Sequence, residues 1–170
     1  MRELIEIVNE FKTVYHQRDF ICTTSYMPIN LFIIHFDLKQ LPHLLGLHKI
    51  YNSNPTQILA NITKGTITKE KLKRNKNYGD IKDRLVCCDF LNKIFAADEK
   101  IIVYIAEVDR RNTMRLDIAF YESLSNKKYV LGLRRTSDKT YVPVTFYAVK
   151  STKKEFIKSK RVKINQIEIL

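Results

Sequence analysis

Apolar residues recur at helical spacing over residues 1–18, where Leu4, Ile5, Val8, Phe11 and Tyr15 form one stripe. Residues 20–26 and 29–37 are rich in β-branched and aromatic side chains and are broken at Pro28, the pattern of two short strands. The helical period returns over residues 38–51, with Pro42 fitting a first turn. Asn54-Pro55 starts a further short helix over residues 54–64, and Gly65 closes it. Residues 66–79 are polar and basic, a loop with a turn of helix, before residues 80–97 resume helical spacing through Ile81, Leu85, Cys88, Phe90, Leu91 and Ile94.

After Asp98 the pattern is that of strands. Residues 100–108 are almost continuously apolar, as a central strand is. Residues 114–122 alternate, with Leu116, Ile118 and Phe120 on one face, and strands over 128–136, 140–150 and 162–169 follow. Helices first and consecutive strands after predict an α+β fold, N-terminal helices packed on a C-terminal antiparallel sheet. No repeat or linker interrupts residues 1–170, which read as a single domain. A chain of this length buries about 70% of its unfolded surface and needs no staple to fold.

One hairpin permits a register argument. If Leu131 and Leu133 share an apolar face with Val142, Val144 and Phe146, paired residue numbers must sum to an odd value. A two-residue connection at Asp138-Lys139, pairing Ser137 with Thr140, meets that condition. The opposite face then gathers Arg134, Thr136, Tyr141, Thr145 and Tyr147, an arginine with hydroxyls and phenols suited to phosphate and bases.

Charge narrows the partners. The chain carries 30 Lys+Arg against 18 Asp+Glu, a formal +12. Such a surplus gathers polyanions. Lys69, Lys71, Lys73, Arg74 and Lys76 cluster around the single acid Glu70, and Lys150, Lys153, Lys154, Lys158, Lys160, Arg161 and Lys163 around Glu155. Nucleic acid is the expected partner, with Lys73 and Arg74 among its contacts, and no basic amphipathic helix points to a membrane surface. The second cluster is either an arm for nucleic acid or a last strand with a charged edge. Three cysteines, two of them adjacent, argue against a disulfide framework and for a reducing compartment. The N-terminus lacks the apolar core of a signal peptide, and no apolar run approaches the ~20 residues of a membrane helix, so a cytoplasmic protein is expected.

The chemistry-bearing residues are few. No His-x-x-x-His, Cys-x-x-Cys, acidic cluster or phosphate-cradling glycine loop is present, so neither a metal nor a cofactor is expected. RNA carries its own nucleophile in the 2′-OH, so its cleavage needs only a base, an acid and a cation over the phosphate. On a helical wheel of residues 38–51, His48 falls within the apolar arc and His43 points away from it, free to titrate. His35 alternates with Asp37, and His16 stands where a helix C-terminal charge would.

The run His35-Phe36-Asp37-Leu38-Lys39-Gln40-Leu41-Pro42-His43-Leu44-Leu45-Gly46-Leu47-His48-Lys49 resembles a signature of the phage-associated nucleases named for similarity to barnase, EndoU, colicin tRNases and RelE. The likeness is to their fourth subgroup, from phages and mobile elements of Gram-positive bacteria, and Tyr141-Val142-Pro143-Val144-Thr145-Phe146 resembles its closing strands. The resemblance implies a barnase/RelE-like fold and metal-independent endoribonuclease activity, as a toxin or phage effector. His43, Arg134, Tyr141 and Thr145 would then be catalytic, and His48, Lys49, Thr136, Tyr147, Lys73 and Arg74 would bind RNA. Expected partners are tRNA or mRNA and an acidic inhibitor or antitoxin. The alternative is a non-catalytic RNA- or DNA-binding accessory protein of a phage or mobile element.

Overall fold

Helix α1 (Leu4–Val14) opens the fold of the computed structural model, which describes residues 2–86, 88–95, 102–105, 114–124, 126–153 and 159–170. Glu3 N donates to the Glu6 carboxylate at 3.0 Å at the helix start, and Ile7 joins Leu4, Val8 and Phe11 in the core while Ile5 lies exposed. An antiparallel hairpin of β1 (Asp19–Thr24) and β2 (Leu31–His35) follows, with Cys22 opposite Phe32.

The helical pattern of residues 38–51 is not one helix. Asp37 caps a 3-10 turn at Leu38–Gln40 by accepting from Lys39 N at 2.7 Å. Helix α2 (Leu41–Leu44) stops at Gly46, and a second 3-10 turn, Leu47–Lys49, restarts beyond it. Next come α3 (Pro55–Thr63), α4 (Lys69–Lys73), α5 (Lys82–Val86) and α6 (Phe90–Phe95), the last two replacing the single helix expected over residues 80–97. The remaining elements are β3 (Ile102–Ile105), β4 (Ile118–Leu124), β5 (Lys127–Ser137), β6 (Thr140–Lys150) and β7 (Lys160–Ile169). The outer parts of the apolar run 100–108 lie outside the described residues.

The strands close into a barrel in the order β1-β2-β6-β5-β4-β3-β7, with β7 returning to β1. The expected antiparallel sheet is therefore mixed. A ring of seven strands cannot alternate direction all the way round, so at least one neighbouring pair must be parallel. That pair is β2 with β6, and it is short: Ile33 opposite Thr140 and Ile34 opposite Tyr141. The helices also fail to form a purely N-terminal layer, because β1 and β2 enter the barrel between α1 and α2.

Among the described residues no strand pairs with this side of β6 beyond Tyr141, and α2 and α5 pack against β6. Inside the barrel, Phe20, Phe32, Ile34, Phe120, Leu131 and Leu133 are fully buried. The α6 residue Phe95 meets Phe20 at 4.7 Å and Phe36 at 5.5 Å between ring centroids, so helix and barrel share one aromatic core. Among the described residues no helix is long and apolar enough to cross a membrane. Cys22 and Cys88 are free thiols, which burial pushes up to pKa values of about 12 and about 11.

The β5–β6 hairpin carries the predicted turn, with Ser137 opposite Thr140, but the register is not continuous. The ladder steps past Thr136 on β5 and past Val144 on β6, two bulges whose offsets cancel. Between them Leu133 faces Pro143 and Arg135 faces Tyr141, so Tyr141 and Pro143 turn inward where Val142 and Val144 were expected. A third bulge at Asn165 in β7 lets Ile164 and Ile167, three residues apart, both pack on the core.

Candidate active site

Five residues apart on an unbroken helix, His43 and His48 would point about 140° away from each other. Gly46 removes that constraint by adopting a φ of +77°, a conformation that favours a residue without a β-carbon. The two rings consequently stack, with centroids 4.2 Å apart and planes 17° from parallel. Both histidines are exposed, so His48 does not occupy the apolar arc that a continuous wheel assigned to it.

Gly46 has a second role. A β-carbon built there would stand 2.8 Å from Ile81 Cγ2 and 3.1 Å from Arg84 Cδ, so α5 packs directly on the glycine. That approach brings Arg84 to the corner, where its Nη1 donates to the carbonyls of His43 at 3.3 Å and Leu44 at 3.4 Å. Sequence reasoning missed Arg84. It sits among Ile81 and Leu85 in an ordinary helical pattern, and its partners are some forty positions earlier in the chain.

The electrostatics follow from this packing. Although exposed on one side, the His43 ring is partly desolvated by its packed side, which lowers its pKa below the ordinary 6.5. The Arg84 charge lowers it further, while the Val144 carbonyl facing the ring opposes both. Val144 is the bulged residue of β6, on the edge that β2 leaves open. His48 is lowered in the same direction by burial first, then by His43, Arg84 and Lys49. Burial also lowers the pKa of Arg84. A charge on His43 would thus disfavour one on His48, and both rings favour the neutral form more than a free imidazole does.

The predicted sheet platform does not assemble. Tyr141 is buried, with its ring edge-on to Phe32 at 5.7 Å, on the opposite side of the sheet from Arg134. The bulge at Val144, absent from the pattern-based register, is the reason. Thr145 does share the Arg134 face, but it is buried: Leu116 and Thr145 close over Gly132, where a β-carbon would lie 2.6 Å and 2.7 Å from them. Arg134 is exposed and committed to its own backbone, donating to the carbonyls of Met114 at 2.6 Å and Arg115 at 3.4 Å. Thr136 is exposed in the β5 bulge, with Oγ1 donating to the Thr140 carbonyl at 3.3 Å, and Tyr147 is half-buried. Lys49 is exposed beside His48, and Lys73 and Arg74 are exposed at the end of α4.

The other histidines have structural partners. His35 Nδ1 meets Asp19 Oδ1 at 2.6 Å on the adjacent strand, whereas Asp37 caps the next turn. His16 Nδ1 accepts from Leu38 N at 3.1 Å, the work of a lone pair and not of a helix-capping charge. Among the described residues, no three His, Cys, Asp or Glu side chains converge on a possible metal ion.

An α+β chain with helices and a curled mixed sheet is consistent with a barnase-like family. Residues 3–167 match the family model described as phage-Barnase-EndoU-ColicinE5/D-RelE like nuclease4, and the chain belongs to that family. Its name marks a nuclease of the barnase, EndoU, colicin and RelE type. Among curated proteins and among solved structures there is no match.

Proposed function

We propose that this chain is a metal-independent endoribonuclease whose chemistry resides in His43 and His48, with Arg84 as the cation of the site. The stacked imidazole pair beside Arg84 carries this reading. In its neutral form His43 takes the proton of a ribose 2′-OH, and the freed oxygen attacks the adjacent phosphorus. The bond from phosphorus to the 5′-oxygen breaks as His48, in the fraction of molecules where it carries a proton, gives that proton to the oxygen. The products are a 2′,3′-cyclic phosphate and a free 5′-OH. Negative charge on the phosphoryl oxygens is met by Arg84, held in place before substrate arrives, and by the exposed Lys49 beside His48. Tyr141 and Thr145 are too buried for the roles first expected of them, and Arg134 supports the segment at Met114 and Arg115.

Incubation with tRNA or structured mRNA in EDTA tests the reading. Fragments ending in 2′,3′-cyclic phosphate are expected, with His43→Ala slower by on the order of 10²–10⁴-fold. Intact RNA, or equal rates for the two proteins, would overturn it. The charged side chains beside the pair, Arg84 and Lys49, are cationic, which also suits a phosphate-holding corner without turnover. Intact RNA that is bound, and released by His48→Ala or Lys49→Ala, would establish that second reading.

A further inference from the structure

The basic run at residues 69–76 is divided by the fold. Thr68 caps α4 by accepting from Lys71 N, and Leu72 is fully buried, which directs the charged side chains of the helix outward. Lys69 is neutralised by Glu3, its Nζ 3.4 Å from Oε1. Lys71 Nζ donates to the Thr66 carbonyl at 2.8 Å. Lys73, Arg74 and Lys76 remain exposed, and among the described residues no acidic group pairs with them.

Their position is fixed by one long-range hydrogen bond. Asn77 N donates to Asn75 Oδ1 at 2.9 Å, which turns the chain, and Asn77 Nδ2 donates to the Lys49 carbonyl at 3.1 Å. Lys76 and His48 therefore each stand one residue from an end of that bond. Four residues further on, fully buried Ile81 packs on Gly46, and Arg84 follows at His43. One continuous segment thus leads from these three exposed cations past Lys49 to the imidazole pair.

We infer that Lys73, Arg74, Lys76 and Lys49 form a track for the phosphate backbone of a single RNA strand entering the His43–His48 corner. The inference takes the identity of the strand as RNA from the function proposed above. Its content is different: binding is local to this ridge and is not a property of the +12 charge as a whole. The cations Lys160, Arg161 and Lys163 give an internal comparison of equal charge. They lie exposed on β7, which β1 and β2 separate from β6.

The test measures binding of a short, unstructured, fluorescein-labelled 2′-O-methyl RNA, which transesterification cannot cleave, across a range of salt. Replacing Lys73, Arg74 and Lys76 together by Ala is expected to raise Kd about 10-fold or more. The slope of log K against log salt should fall by about 2, at ~0.7 per phosphate contact on a single strand. Replacing Lys160, Arg161 and Lys163 by Ala should change both by less than half as much. Thermal melts of both variants check that each is folded. Equal losses in the two variants would overturn the track in favour of a diffuse field, and so would no loss in either. Failure of the unaltered protein to bind the RNA would overturn it and point to an acidic protein partner. The proposed chemistry fails separately, when a native RNA stays intact while the ridge variant still loses binding.

Discussion

Two exposed, basic regions of this molecule invite a functional reading: the helical corner at His43, His48 and Arg84, and the tip of the β5–β6 hairpin at Arg134 and Arg135. At the hairpin the cations hold neighbouring backbone and acids in place. Arg134 holds the carbonyls of Met114 and Arg115, and Arg135 pairs with Asp138 at 2.9 Å while its backbone N–H reaches Asp117 at 2.7 Å. At the corner Arg84 also donates to backbone carbonyls, but one of them belongs to His43, and its charge shifts the titration of both rings. A cation that organises titratable groups is a better marker of chemistry than a cation that is merely exposed. Both regions carry arginine beside polar backbone, but Arg84 is half-buried where Arg134 and Arg135 are exposed, and only Arg84 bears on titratable rings.

The sharpest way to break this contrast is to remove the two arginines in turn. Arg84→Ala should lower RNA cleavage by on the order of 10²–10³-fold, the usual consequence of losing a pre-positioned donor or cation. Arg84→Lys should recover little, because one ammonium cannot reproduce the fixed geometry of the guanidinium fork. Arg134→Ala should leave single-turnover cleavage close to that of the unaltered protein. The reverse order of effects would move the site to the hairpin.

The glycines extend the comparison from activity to stability. Gly46→Ala must place a side chain at a φ of +77° and 2.8 Å from Ile81, and Gly132→Ala must separate Leu116 from Thr145. Each should cost roughly 1–3 kcal/mol in urea unfolding, from backbone strain at the first and overpacking at the second. Only Gly46→Ala should also lower the activity of the protein that remains folded, since it displaces Arg84. Equal activity losses at matched folded fractions would mean that the corner does not depend on this packing.

What the chain reveals before folding differs between the regions for physical reasons. The α3 cap is written locally, and Asn54 indeed accepts from Gln57 N at 2.9 Å. The Asp138-Lys139 turn is equally local, and Ser137 meets Thr140 as expected. Bulges leave no such mark, because the residues skipped at Thr136 and Val144 do not alter the hydrophobic pattern. Tyr141 was therefore assigned to the wrong face. The His-Leu-Leu-Gly-Leu-His run drew attention to both histidines, yet a wheel drawn through Gly46 separated rings that the positive φ brings together. Arg84 was illegible because its meaning lies in a glycine 38 positions earlier. The parallel β2–β6 pair was equally hidden, since it follows from closing an odd ring and not from any property of either strand.

The smallest effect is the pH dependence of stability, and it separates the two regions by sign. His43 and His48 have folded pKa values below 6.5, so between pH 6.5 and those lowered values the unfolded chain binds more protons than the folded one. Their contribution to stability is present above pH 6.5 and is lost as pH falls through the folded pKa values. Below both it no longer changes. Tyr141 in the hairpin behaves in the opposite way. Its pKa is raised above 10, by burial first and by Asp117 and Asp138 next, with Arg135 opposing. Its contribution is present below pH 10 and is lost as pH rises through the folded value. Urea unfolding should therefore show His43→Gln/His48→Gln losing less stability than the unaltered protein between pH 7 and pH 5. Tyr141→Phe should lose less between pH 9 and pH 11. All other groups are common to variant and parent, so the differences isolate these three. A double-histidine variant whose acid dependence matches the parent would mean that the rings are not shielded as a pair, and that neither stays neutral in the folded protein at pH values where an exposed imidazole is charged.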